Sequence, residues 1–153
     1  MLVFRVLTAF CVLLVSAGLA FAAPVCYSDS EFEAEQAVSF QMELMVVSDT
    51  CKTGVYQPFL IRNQRALAAY QSELMEHYRR IGDRHPETVL DSYETRKAND
   101  VSMHIGSMPL ASFCGTQIEL FANAGTLTPA SFPTFVKQRV VEHKREFLSL
   151  IHI

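Results

Sequence analysis

Met103-His104 with Met108, and Met42 with Met45 one helical turn apart, are the residues of this chain whose types suit a soft metal. Thioether and imidazole ligands favour Cu(I). The surroundings weigh against such a site. Gly106 and Pro109 interrupt the backbone that a rigid His104/Met108 pair needs, and Met42 and Met45 fall on the apolar side of a helical pattern, where methionine fills core space. His104 and Met108 are the weak candidates, and the expectation is that the protein holds no metal and no other cofactor. The five histidines, at 77, 85, 104, 143 and 152, match no zinc spacing. There is no glycine-rich phosphate loop, nucleophile elbow or lysine-activated serine. Carboxylates pair at Glu73/Glu76 and Asp91/Glu94, each among polar neighbours on a helical pattern, where solvation explains them better than acid–base catalysis. No catalytic residue is assigned, and the expectation is a protein that is not an enzyme.

Three polar residues stand out. Asn63 falls in the apolar stripe between Leu60 and Leu67, and Tyr93 and Asn99 bound most of a polar run over 93–100. An asparagine that faces a core must be hydrogen-bonded, most naturally to a tyrosine or to a backbone group on a facing helix. Asn63, Tyr93 and Asn99 are therefore candidates for a buried polar network, the alternative being the rim of a ligand pocket.

The compartment follows from the N-terminal segment. Arg5 provides a positive start, residues 6–15 form an apolar stretch broken only by Thr8, and Ala20-Phe21-Ala22 satisfies the small-x-small rule. Residues 1–22 read as a signal peptide cleaved between Ala22 and Ala23. The apolar stretch is shorter than the roughly 20 residues that span a bilayer. Neither Cys11 nor Cys26 is preceded by the small residue a lipoprotein cysteine needs, and no later segment is long and apolar enough for a membrane span. A periplasmic or secreted protein with no stable membrane anchor after cleavage is expected.

Export decides how the cysteines are read. Cys11 leaves with the signal peptide, so Cys26, Cys51 and Cys114 remain in an oxidising compartment, where two of them are expected to pair. Cys51 and Cys114 each lie just past an apolar helical run, where a bridge pins the first helix to the fourth. The rival is Cys26 with Cys51, which asks the two ends of a helix about 30 Å long to meet. Cys26 is then the spare thiol: free, capped, or bridging a homodimer. No Cys-x-x-Cys supports a thiol-redox role.

The elements that must position these residues read as helices. Ser30 with Glu33 forms a capping box for a mostly buried helix that runs to about Thr50, where Lys52-Thr53-Gly54 ends it. Over 58–81, Leu60, Leu67, Tyr70, Leu74, His77 and Ile81 form one stripe, stopped by Gly82-Asp83. Pro86 opens a third helix bearing Val89, Leu90, Tyr93, Val101 and Ile105. Residues 110–124 read as a fourth, weakened at Gly115. Thr128-Pro129 and Ser131 with Pro133 compete to start the last, with Phe132, Val136, Val140, His143 and Phe147 on one face. No run alternates with a period of two for long enough to argue a strand. The prediction is an all-α bundle of four to five helices, one domain over 23–147. Residues 148–153, LSLIHI, match the in-frame translation of a transposon-end adaptor used in sequencing libraries and read as an adaptor-derived tail, so His152 carries no weight.

Charge excludes one class of partner. The part after the signal peptide holds all 16 acidic residues and 12 of the 13 basic ones, so it has no electrostatic footprint for nucleic acid. Residues 29–49 hold six carboxylates and no base, and residues 62–84 hold five arginines against three acids, reading as solvated faces of two helices that can lie side by side.

The strings ELMVVSDTC, YQPFLIRNQRALAAY, LDSYETRKAND and ASFC resemble a group of small exported proteins encoded in alphaproteobacteria, without an assigned function. The resemblance covers about 65 to 75 residues, leaves Cys26 out, and implies an exported helical domain with Cys51 paired to Cys114. The expected function is a non-enzymatic exported module that binds a protein or a small ligand; the alternative is a periplasmic copper or thiol-redox protein.

Overall fold

Ser28 opens the first described helix. Its hydroxyl accepts the backbone N–H of Glu31 at 3.2 Å, and the Glu31 carboxylate accepts the N–H of Ser28 at 2.7 Å, a complete capping box. The computed structural model describes residues 27–151, with side chains as far as His143. Residues 1–22, read above as a signal peptide, the Ala22/Ala23 junction, Cys26 and His152 lie outside the described residues, as does the side chain of Phe147. The helix is α1, Asp29–Thr50. Its start is two residues earlier than Ser30 with Glu33 suggests. Both pairs fit the rule, but Glu31 gains Arg80 as a further partner, and the Ser30 hydroxyl donates to Glu73 at 2.9 Å instead.

α1 buries residues on every side, among them Ala34, Ala37, Val38, Phe40, Leu44 and Val47. A helix apolar all round is a central one, and α1 packs against α2 (Tyr56–Arg80), α3 (Pro86–Gly106), α5 (Ile118–Thr126) and α6 (Phe132–Ile151). Lys52 and Gly54, both at positive φ, turn the chain into α2. No side chain of the N-cap Val55 caps α2; Ser48 of α1 does so from below, accepting the Tyr56 N–H at 3.2 Å. Leu67, Leu74 and His77 of the expected stripe are buried. Ile81 is not, at 48% exposed, because α2 ends at Arg80 and Gly82, at φ 95°, turns the chain away. Phe59 takes the deeper position beside the half-buried Leu60.

The expected fourth helix is two. α4 (Leu110–Thr116) and α5 meet at Gln117, φ −95° and ψ 10°, two residues beyond Gly115. Thr116 explains the position: its hydroxyl donates to the Phe113 carbonyl at 2.7 Å, competing with the helical bonds there. Both starts offered for α6 contribute: the Thr128 hydroxyl accepts the Ser131 N–H, the Ser131 hydroxyl accepts the Thr128 N–H, and the regular helix follows from Phe132. Phe132, Val136 and Val140 face the core. His143 is exposed, its ring 6.1 Å from that of Phe32.

The main core gathers Phe40 of α1, Phe59 of α2 and Phe132 of α6. Phe59 meets the other two edge-on, with ring centroids 5.5 and 5.4 Å away. Leu44, Leu67, Ala124, Leu127 and Val136 close around them. A second cluster, Ala34, Val38, Leu74, Tyr78 and Leu90, joins α1, α2 and α3. Cys51 and Cys114 form a disulfide across a Cα–Cα distance of 5.7 Å, tying the end of α1 to α4. The described structure is thus an all-α, disulfide-pinned bundle. Among the described residues, no helix is long and apolar enough to cross a membrane.

The carboxylates of α1 are less solvated than their run suggests. Glu31 is buried and pairs with Arg80 of α2, Glu35 pairs with Lys97 of α3 at 3.4 Å, and Glu43 with Arg139 of α6 at 3.1 Å. The acidic helix draws cations from three neighbours, not only from the arginine-rich one.

Candidate binding groove

The three residues singled out for a buried polar network stand in three places. Asn63 is fully buried on the side of α2 that faces the end of α5, where its amide donates to the carbonyls of Phe59 at 3.0 Å and Leu127 at 3.3 Å. Arg62, alongside, donates to the carbonyls of Ala124 and Gly125, so α2 satisfies the open C-terminal end of α5. Tyr93 faces α1 and donates its hydroxyl to the Glu35 carboxylate; burial, then that carboxylate, push its pKa well up. Asn99 is exposed on α3. A single network fails because Asn63 and Tyr93 serve different helix contacts, while Asn99 lines a groove between α1, α2 and α3, the alternative place expected for such a residue. Replacing Asn63 with Leu keeps the volume and removes both bonds to carbonyls that stay buried, so it is expected to cost about 1–2 kcal/mol, read from urea unfolding. An unchanged midpoint would contradict the burial described.

A network does exist, built from residues the sequence presents separately. Glu31 lies under His77, whose Nδ1 is 3.3 Å from its carboxylate, and Tyr27 stacks on the His77 ring at 4.2 Å. Burial pushes the Glu31 carboxyl up, but the Arg80 guanidinium and the Ser28 N–H and hydroxyl outweigh it, and the pKa is held down at about 2. Tyr78 and Tyr27 interact beside it, both with raised pKa values caused chiefly by burial. These groups bond one another, which is the arrangement of a fastening between helices.

His104 is exposed near the end of α3 with its ring 5.9 Å from Phe113, and Met108 follows in the connection to α4. Among the described residues, no three His, Cys, Asp or Glu side chains converge as a metal site would require. Of the carboxylate pairs, Glu73 takes the Ser30 hydroxyl and Glu76 pairs with Arg79.

Asp91 and Glu94 differ: they line a groove of about 540 Å³ between α1, α2 and α3. Its apolar lining comes from Met42 and Met45 of α1 and Ala98 of α3, with Tyr56 of α2 at one end. A separate pocket that shares Met45 and Tyr56 lies at the turn between α1 and α2, along Ser48, Asp49 and Gln57. Gln41 of α1 also lines the groove and is only 7% exposed. The Gln41 Nε2 donates to the Tyr56 hydroxyl at 3.4 Å, and its Oε1 is buried with no partner in the protein. A buried carbonyl left unmatched costs about 1–3 kcal/mol. Burial raises the pKa of Glu94; the amide of Gln71, donating to Oε1 at 3.0 Å, lowers it, and the charge of Asp91 raises it again. Among the described residues, no cation forms an ion pair with Asp91 or Glu94.

A second cleft, of about 380 Å³, lies between α1, α5 and α6. Arg139 crosses it, paired with Glu43 and stacked 5.1 Å from the centre of the Phe40 ring, so its charge is already matched. Glu119, Glu142, Gln117 and Asn123 give the remaining walls no single sign. The first groove is the better site because its two charged groups have the same sign and neither is paired with a cation among the described residues. Its members are visible in the sequence as the Met42/Met45 spacing, the Asp91/Glu94 pair and a glutamine inside an apolar helix, but only the packing of α1 on α3 joins them.

Comparison of the chain with protein-family models, with curated proteins and with solved structures returns no match.

Proposed function

We propose that this is an exported helical module without catalytic activity, which works outside the cytoplasm after residues 1–22 are removed and holds its partner in the groove between α1, α2 and α3. The observation that carries this reading is the groove lined by Met42, Met45, Asp91 and Glu94, in which neither carboxylate is paired with a cation among the described residues and Gln41, another lining residue, has a buried Oε1 without a partner. Folding alone favours an apolar residue there, and a ligand donor would supply the missing bond. Export is supported by the N-terminal pattern and by a long-range disulfide, which persists in oxidising compartments. In the same compartment Cys26 is a thiol that stays free, is capped, or links two copies.

The chain carries its own reporters. Met42 and Met45 line the groove, Met75 packs on the second core cluster, and Met103 and Met108 are exposed elsewhere. With methyl-labelled methionine, a library of small polar fragments is expected to include members that shift Met42 and Met45 saturably and leave Met103 and Met108 in place. Binding confined to other methyls, or no saturable shift at Met42 and Met45, would overturn the reading.

A further inference from the structure

We infer that the groove takes a small organic cation whose head donates N–H bonds, a guanidinium or a primary ammonium, on a short apolar stem. This inference rests on the reading of the α1–α3 groove as the binding site. Both charged groups there are acidic and neither is paired with a cation among the described residues, while Thr95 and Asn99 add neutral groups that can donate or accept. Gln41 directs its amide N–H to Tyr56, which leaves Oε1 as the unmatched atom. Glu94 receives Gln71 at Oε1, and Asp91 stands one turn before it on α3. An anion would meet two carboxylates. A neutral donor gains only ordinary hydrogen bonds there, whereas an ammonium or guanidinium head makes charge-assisted bonds to both carboxylates, next to the unmatched Gln41 carbonyl. The other wall selects the stem: Met42, Met45 and Ala98 offer apolar, adaptable surface to a few methylenes. A closed shell of oxygen ligands, as a hard metal ion needs, does not suit a groove half lined by methionine and alanine. The volume of about 540 Å³ lies within the range of small-molecule sites. An arginine or lysine side chain carries the same head on a similar methylene stem and is the alternative source, which the test separates.

The test is a methyl-methionine titration of the whole mature protein with five probes: n-butylguanidinium, n-butylammonium, tetramethylammonium, n-butanol and butyrate. The first two are expected to shift Met42 and Met45 saturably and to bind about tenfold or more tightly than the rest. The double variant Asp91→Asn with Glu94→Gln is expected to weaken them about tenfold with its amide spectrum otherwise unchanged. If butanol or butyrate binds there equally well, or the double variant binds the cations as well as the parent does, the cation is overturned and the groove stands. Equal binding of tetramethylammonium overturns the requirement for N–H donors. If no probe reaches Met42 and Met45, both the cation and the groove fall. A blocked Ala-Ala-Arg-Ala-Ala peptide separates the sources: binding about tenfold tighter than n-butylguanidinium would overturn the free small molecule in favour of a protein side chain.

Discussion

Replacing Cys51 and Cys114 together with alanine is expected to destabilise the fold by about 4 kcal/mol, because the bridge closes a loop of 63 residues whose freedom the unfolded chain then regains. For a domain of this size the loss lowers the melting temperature by roughly 15 °C. The effect is expected to be uneven. α4 has seven residues, below the length at which a helix holds by itself, and buries only Phe113 in addition to its bridge. Without the disulfide, amides over Leu110–Thr116 should lose protection from hydrogen exchange first, while those of α1 and α2 follow the global stability. A double variant within about 1 kcal/mol of the parent would show that packing, not the bridge, holds α4.

Replacing Glu31 with alanine is expected to cost about 3 kcal/mol at neutral pH. The carboxylate is buried, accepts Arg80 and the Ser28 N–H, and lies against His77, so its removal breaks a helix cap and leaves two charged or polar neighbours without their acceptor. The penalty is expected to depend on pH with a definite sign. Glu31 has a folded pKa of about 2, below the value of about 4.3 for an unfolded glutamate, so between these values the unfolded state binds more protons. Its contribution is fully present above about pH 5 and is lost as the pH falls through about 2. Urea unfolding of parent and variant at pH 7, 4 and 2.5 should show the gap between them closing toward acid. A gap that stays constant would mean that the Glu31 carboxylate is not the group holding the end of α1 to α2.

The helices were legible where their signals are local. Gly54, Gly82 and Pro86 mark ends and starts through their own backbone preferences, and the spacing of Leu67, Leu74 and His77 marks the buried face of α2. The Cys51–Cys114 bridge was legible for the same reason, since each cysteine follows an apolar helical run. Signals shared between elements were not. Ser28 and Ser30 satisfy the capping rule equally, and Arg80, 49 residues away in the chain, sits on the Glu31 carboxylate of the Ser28 box. The break at Gln117 depends on a hydroxyl bond within the turn, although glycine is the residue that draws notice. His77 matches an apolar stripe yet sits in a polar cluster, because Tyr27 and Glu31 come to it from α1 and the residues just before it. The groove is the extreme case. The Asp91/Glu94 pair and Gln41 can each be seen in the sequence, but they become walls of one groove only when α3 lies beside α1.

The central claim, that Gln41 is kept for a ligand and not for the fold, is tested most directly by melting Gln41→Met beside the parent, with and without saturating n-butylguanidinium. Methionine fills the space without the unmatched carbonyl. The variant alone is therefore expected to melt at or above the parent's temperature, and the ligand, which keeps Asp91 and Glu94 as partners in both, is expected to raise the melting temperature of the parent more than that of the variant. A variant that melts lower alone and is stabilised by the ligand as much as the parent would contradict the claim.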